Sequence, residues 1–356
     1  MSKLVFDRMS EMEHEQVVFC TDPHTGLKAI IAIHNTTLGP ALGGTRLWNY
    51  ASDDDAIIDA LRLSRGMTFK AAISGLHLGG GKAVIIGNPN MKNEAFWRRY
   101  GKFVNSLNGK YITAEDVNTS AADMEYIHLE TKHVTGIPEF MGGSGDPSPF
   151  TAYGVFMGMK ASAKKQFGSD NLSGKKVMVQ GVGHVGQYLV SHLINEGAVV
   201  SITDINEARI KETMDRHQVT FVKPEDMLNA DMDIYAPCAL GATLNDDSIA
   251  KLKATVVAGA ANNQLADEVK HGQMLIEKGI VYAPDFLINA GGLINVAGEA
   301  SGTYNVEKVN NDVEKIYQRV LDIFDMAESK KITTQAAAIQ MAQARIDAVA
   351  QLRTRR

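Results

Sequence analysis

The sequence predicts a two-domain α/β protein whose second domain is built on a Rossmann-type, doubly wound parallel sheet. Three observations carry that expectation. A chain of 356 residues exceeds what one hydrophobic core usually organises, so two domains with a cleft between them are expected. The run Gly142-Gly143-Ser144-Gly145-Asp146-Pro147-Ser148-Pro149 gathers turn and hinge residues at one place in the chain. Beyond it, strand-like Lys176–Gln180 leads straight into Gly181-Val182-Gly183-His184-Val185-Gly186, a helix to Asn195 and a strand Val199–Thr203, which together make a βαβ unit. Residues 1–142 are therefore read as an α/β first domain and 143–329 as the second, with helices over about 330–356 packing back on the first.

The elements follow in order. A short helix, Leu4 to Met12, precedes strands at Gln16–Cys20 and Leu27–His34, joined by the turn Asp22-Pro23-His24-Thr25-Gly26. Ser52 with Asp53, Asp54 and Asp55 caps a helix whose Ile57, Leu61, Ser64 and Met67 keep helical spacing, with Lys70 near its end. The glycine cluster Gly79-Gly80-Gly81 precedes a strand Ala83–Ile86, a helix Asn93–Leu107 and a strand Tyr111–Ala114, with Asp116 just beyond. In the second domain a helix Thr151–Phe167 leads into the βαβ unit. Further strands at Ile234–Ala236, Thr255–Ala258 and Ile280–Ala283 extend its sheet, and the chain turns helical after Asn305.

Composition narrows the functional classes. Hydrophobic residues at 45% and charged residues at 22% are the balance of a compact globular protein. A net charge of -5 offers no basic field for nucleic acid, and Arg353, Arg355 and Arg356 read as a short solvated tail. Cys20 and Cys238 stand apart and outside any CxxC spacing, which fits a reducing compartment. The first residues lack an apolar signal core, and no apolar run reaches about 18 residues, so a cytoplasmic protein without membrane contact is expected. His77, His128 and His133 lack the paired spacing of a helix-borne metal site, and no metal is expected.

The glycine turn is the clearest binding signal. Gly181 allows a tight turn, Gly183 lets backbone approach a pyrophosphate and Gly186 permits close helix packing, with His184 and Val185 counted among the cofactor-binding residues of the same turn. Asp204, ending the next strand, is placed to accept from ribose hydroxyls and to repel a 2′-phosphate, and no arginine adjoins it in sequence before Arg209, which favours NAD over NADP. The bland alternative is a glycine turn in an unrelated α/β domain with Asp204 as a strand-end cap. Lys82 behind its glycines is not a P-loop, which needs glycine at Leu76 and a hydroxyl at Ala83. On the residues alone, an exposed surface lysine is its simpler reading.

Leu42-Gly43-Gly44-Thr45-Arg46, Met67-Thr68-Phe69-Lys70, Gly79-Gly80-Gly81-Lys82, Thr113-Ala114-Glu115-Asp116-Val117 and Asn289-Ala290-Gly291-Gly292 closely resemble the glutamate/leucine/phenylalanine/valine dehydrogenase superfamily, most closely its leucine-type members. Ala236-Pro237-Cys238-Ala239-Leu240-Gly241 and Gly259-Ala260-Ala261-Asn262-Asn263-Gln264 extend the resemblance along the chain. It implies an NAD-dependent amino-acid dehydrogenase that oxidatively deaminates a branched-chain L-amino acid to its 2-oxo acid and ammonia. The first domain then binds substrate and oligomerises, and the protein is a homo-oligomer, often an octamer.

By the same resemblance Lys70 holds the α-carboxylate, Lys82 activates water and Asp116 relays the amine proton. A lysine works as a base near neutral pH only if desolvation or a nearby cation brings it from ~10.4 toward ~7 to 8. Substrate contacts are expected from Leu42, Gly43, Gly44, Met67, Ala114, Thr135, Leu293 and Val296. Cofactor contacts are expected from Cys238 and Ala239. Asn262 is given to cofactor and Asn263 to substrate, although which does which stays open. Glutamate enzymes of the superfamily carry a lysine where Leu42 stands and a serine where Val296 stands, so glutamate should be rejected. Asn118, where glycine is common, and Leu293, where valine is common, depart from the leucine-type pattern. A phenylalanine or tryptophan dehydrogenase is the nearer alternative; a non-catalytic NAD-binding regulator is the alternative of another class.

Overall fold

The computed structural model describes residues 5–354. Leu4, read as the start of the first helix, and Arg355 and Arg356 of the tail lie outside the described residues. The chain divides into two units. One runs up to Pro147 and includes Asn295–Val306 and the residues from Ala342 on; the other comprises Ser148–Ile294 and Glu307–Met341.

The first unit holds α1 (Val5–Glu11), β1 (Gln16–Asp22), β2 (Leu27–Asn35), β3 (Ala41–Trp48), α2 (Asp53–Ile73), β4 (Gly79–Ile86), α3 (Glu94–Ser106), β5 (Tyr111–Glu115) and α4 (Ala121–His128). Its sheet has the order β1-β2-β4-β3-β5; β1, β2 and β4 pair antiparallel, while β3 runs parallel to both β4 and β5. Side chains alternate across β2, so Ile31 and Ile33 join Phe96, Trp97 and Tyr100 on one face while Ile30 and Ala32 pack with Ile57 and Leu61 of α2 on the other. Ser52 caps α2 by accepting from the Asp55 amide at 3.1 Å, a cap worth about 1 kcal/mol.

Ala41–Trp48, to which the sequence reading gave no element, is a full strand, β3. The Gly79-Gly80-Gly81 cluster, expected to precede a strand Ala83–Ile86, is the first part of β4. Gly80 needs no side chain there, because a Cβ would strike Thr68 of α2, which crosses the strand at that point.

The second unit holds α5 (Ser148–Phe167), β6 (Lys176–Gln180), α6 (His184–Asn195), β7 (Val199–Thr203), α7 (Glu207–Arg216), β8 (Thr220–Phe221), β9 (Ile234–Pro237), α8 (Asp246–Lys251), β10 (Val256–Val257), α9 (Glu268–Glu277), β11 (Val281–Tyr282) and α10 (Asp285–Ile288). The strands form one parallel sheet ordered β11-β10-β9-β6-β7-β8. The order reverses between β6 and β9, which is the switch point where open α/β sheets bind ligands beyond their strand ends.

Three helices complete the chain: α11 (Gly291–Ala300), within which the division falls, α12 (Val306–Lys330) and α13 (Thr334–Thr354). Residues 330–341 belong with the second unit and not with the first. Thr334 Oγ1 donates to the Tyr282 carbonyl at 2.8 Å, and Lys165 pairs with Glu328 at 2.6 Å. From Ala342 the chain joins the first unit, where Arg345 donates to the Ala72 carbonyl at 2.8 Å. Residues 143–147 also stay with the first unit, because Ser144 is bonded through its N–H and hydroxyl to Glu299 at 2.9 and 2.6 Å.

Candidate active site

The first unit assembles a charged cluster on the α2 side of its sheet. Strand alternation puts Leu42, Gly44 and Arg46 of β3, Lys82 of β4 and Ala114 of β5 on the face shared by Val84. Lys82 is 6% exposed, so the surface-lysine reading is wrong; it forms an ion pair with Asp116, which follows β5. These two do not sit on neighbouring strands, for β3 lies between β4 and β5. They meet because Gly44 has no side chain: a Cβ there would stand 2.5 Å from the Glu115 carbonyl and 2.8 Å from Asp116 Cβ.

The turn after β5 fixes Asp116. Its N–H donates to Thr119 Oγ1 at 2.7 Å, Thr119 Oγ1 donates to the Thr45 carbonyl at 3.0 Å, and Leu47 N–H donates to the Val117 carbonyl at 3.1 Å. Asn118 takes the left-handed φ of 59° that a glycine would adopt freely, and its Nδ2 donates to the Leu47 carbonyl at 3.0 Å. The departure from glycine therefore costs the turn little.

Electrostatics holds Asp116 ionised. Burial works to raise its carboxyl, but Lys82 by charge and hydrogen bond, then Arg46 and the Val117 amide, hold it below the usual carboxylate range. Its neighbour Glu115 behaves oppositely, pushed up first by burial and then by Asp146. Arg46, quoted in a motif but given no role from the sequence, is the residue that sequence reading missed. Its Nε lies 3.5 Å from Asp116 Oδ2, and its Nη1 donates to Asp59 at 3.0 Å.

Several other expected substrate residues also lie in the first unit. Met67 and Lys70 are half-buried on α2, with Thr68 against Gly80. Leu42 is 1% exposed and Gly43 lies beside it in β3. Thr135 is buried on a segment that pairs along β5, its N–H donating to the Thr113 carbonyl at 2.9 Å. Val296 is buried on α11. Three residues on, Glu299 accepts from the Gly136 and Ser144 amides at 2.9 Å each, tying Thr135's neighbour to that helix. Glu299 is a second residue without a sequence signal.

The second unit assembles the dinucleotide-type residues at its switch point. Gly181 takes φ of 98° after β6 and α6 begins at His184, with His184 exposed and Val185 half-buried. A Cβ on Gly186 would strike the Gly181 carbonyl, whereas one on Gly183 would meet only Arg209 Nη1, at 3.8 Å. A backbone left bare over Gly183 at the start of a 12-residue helix fits a bound pyrophosphate.

Asp204 accepts from the Val182 and Asn206 amides at 2.8 and 2.9 Å, which fixes its carboxylate beside the turn. Cys238 and Ala239, just after β9, abut the same turn: a Cβ on Gly181 would stand 2.7 Å from Ala239 Cβ. Asn262 accepts from Asn289 Nδ2 at 2.7 Å, while exposed Asn263 has φ of 51° and its carbonyl accepts from Ala242. Leu293 is buried on α11, in the second unit's share of that helix. Arg209 is distant in sequence from Gly183 but adjacent in space, which the spacing along the chain concealed.

A parallel sheet with a glycine turn at its switch point and a separate unit carrying an ion pair between a buried lysine and a half-buried aspartate define the class. The chain belongs to the glutamate/leucine/phenylalanine/valine dehydrogenase family: the family's dimerisation-domain model matches residues 14–133, and its second model matches 142–213 and 205–354. It is thus an amino-acid dehydrogenase. The chain is 55% identical to leucine dehydrogenase of Thermoactinomyces intermedius over 98% of its length and 95% of that protein's. It is 47% identical to phenylalanine dehydrogenase of Lysinibacillus sphaericus over 96% and 91%. The crystal structure of L-tryptophan dehydrogenase from Nostoc punctiforme superposes with a TM-score of 0.86 at 46% identity, covering 97% of this chain and 99% of that one.

Proposed function

We propose that the protein catalyses the reversible, NAD-dependent oxidative deamination of a branched-chain L-amino acid, leucine first, to the 2-oxo acid, ammonia and NADH. One observation carries the reading: the ion pair of buried Lys82 with Asp116 stands on a face whose neighbours Leu42 and Ala114 are apolar. The resemblance to leucine dehydrogenases at 53–55% identity supports the same choice. NAD, when bound, takes the hydride from the α-carbon.

The chain's own residues do the rest. Lys70 binds the α-carboxylate, and Gly43 and Gly44 let the α-carbon lie close to the backbone of β3. Asp116 takes a proton from the substrate ammonium, and Lys82 removes one from the water that attacks the imine carbon, so that ammonia leaves and the 2-oxo acid forms. Met67, Ala114, Thr135 and Val296 shape the side-chain pocket. Gly181, Gly183, His184, Val185, Gly186, Asp204, Cys238, Ala239 and Asn262 hold the dinucleotide, and Asn263 faces substrate.

Asp204 selects NAD by charge. We further propose a homo-oligomer, an octamer by family likeness, assembled through the first unit in keeping with the description of its family model. A cytoplasmic location agrees with the free thiols of Cys20 and Cys238; among the described residues no helix is long and apolar enough to cross a membrane. The test is the reaction in both directions: leucine-dependent formation of NADH, and ammonia-dependent consumption of NADH with 4-methyl-2-oxopentanoate. Failure of both rejects the reading.

A further inference from the structure

Arg46 lies beside the proposed catalytic pair without belonging to it. Its guanidinium is gripped from behind: Nη1 donates to Asp59 Oδ2 of α2 at 3.0 Å, and Tyr50 donates to the same oxygen at 2.6 Å. Its Nε is buried, has no hydrogen-bond partner among the described residues, and sits 3.5 Å from Asp116 Oδ2, the oxygen that Lys82 also engages. Two cations therefore share one carboxylate oxygen, and only one of them belongs to the proposed proton path.

We propose that Arg46 is a positioning residue of the reaction: anchored by Asp59 and Tyr50, it fixes Asp116 against Lys82 and sets the charge balance of the pair. This rests on the amino-acid dehydrogenase reading given above. The groups facing Asp116 are Lys82 from β4, Arg46 from β3 with Asp59 and Tyr50 behind it, and Tyr111 and Glu115 from β5, with Asp123 and Asp146 beyond Glu115. Lys82 and Arg46 are the cations among them. Arg46 supplies the positive charge that stays fixed while Lys82 and Asp116 exchange protons, since a guanidinium does not titrate in the working range. Removing that charge makes every proton on the pair harder to release, and the coupled pair titrates as a unit.

The test is the pH profile of kcat and kcat/KM for leucine in Arg46→Gln and Arg46→Lys beside the parent, with thermal unfolding as a control for folding. Arg46→Gln is expected to move the acid-side midpoint up by about one pH unit, the effect of losing one adjacent charge. It should also lower kcat about tenfold or more at neutral pH with KM for leucine changed less than about threefold, and Arg46→Lys should restore most of the shift. A rate loss equal at all pH values, or a rise in KM at constant kcat, overturns the proposal. If the parent oxidises no amino acid, the functional reading fails instead. Arg46 is then judged by the 13C-carboxyl titration of Asp116, assigned by its loss in Asp116→Asn: an upward midpoint in Arg46→Gln supports the placement, and an unmoved one refutes it.

Discussion

Lys82 and Asp116 meet across β3, a strand to which neither belongs, over the bare backbone of Gly44. The ion pair is thus a product of a glycine as much as of its own two residues. Gly44→Ala should push Asp116 away and lower kcat at least about tenfold, since a misplacement near 1 Å can cost about a hundredfold. Gly66→Ala is the control: a Cβ on that α2 glycine meets nothing within 4 Å, so activity should be unchanged and stability raised by up to about 1 kcal/mol. Equal loss in both variants would break the link between Gly44 and the pair.

Lys82→Ala should abolish turnover while NAD binding persists. The expected loss in kcat is about a hundred- to ten-thousandfold, the usual worth of a positioned acid–base group. Because Asp116 is then left buried without its main counter-ion, some destabilisation accompanies the change. Binding of NAD, followed by fluorescence quenching, separates the two effects; near-normal turnover contradicts the assigned role.

Two residues of opposite charge stand at the glycine turn, and the proposed cofactor choice can be tested on both. Asp204 carries a fixed carboxylate, which disfavours a 2′-phosphate, while Arg209 brings a cation to Gly183. Asp204→Ala should narrow the preference for NAD over NADP, and Arg209→Ala should widen it, each by roughly tenfold for one charge. Side-by-side saturation with both cofactors decides. A parent that uses both equally would show that Asp204 does not face the ribose.

How much of this was legible in the sequence follows from which interactions are local. The turn Gly181–Gly186 was readable because each glycine answers a steric demand set within a few residues. β3 was not, because Ala41–Trp48 owes its strand state to parallel partners on both sides and its glycines lower the intrinsic tendency. Lys82 read by itself as a surface residue, since β4 lies inside the sheet only through pairing with distant strands and its counter-charge comes from beyond another strand. Arg46 and Glu299 gave no signal because every partner that gives them a role comes from folding distant segments together.

Two histidines in contact, His34 buried and His14 half-buried, predict acid lability. His14 and His34 lie edge to face with centroids 4.8 Å apart. Burial holds each down at about 4, against smaller opposing hydrogen bonds to Leu61 and Met12 carbonyls. Since the folded values lie below the ordinary 6.5, the unfolded chain binds more protons below that pH. The stabilisation from neutral histidines is full above about 6.5 and is lost as pH falls toward about 4. The unfolding temperature should drop steeply between pH 6.5 and 4.5, by several degrees or more. Replacing His34 by Gln should flatten that slope; an unchanged slope would locate the lability elsewhere.

The most direct measurement is kcat/KM with NAD across leucine, isoleucine, valine, methionine, phenylalanine, tryptophan and glutamate. Leu42 is 1% and Val296 9% exposed, and an ionised second carboxylate brought to such apolar residues without a partner costs several kcal/mol. Among apolar side chains discrimination is smaller, about 1 to 3 kcal/mol per methylene. Leucine is expected to lead, with isoleucine and valine close behind and glutamate lower by about a thousandfold or more. Phenylalanine or tryptophan leading by tenfold would contradict the branched-chain assignment, and glutamate leading would contradict the pocket itself.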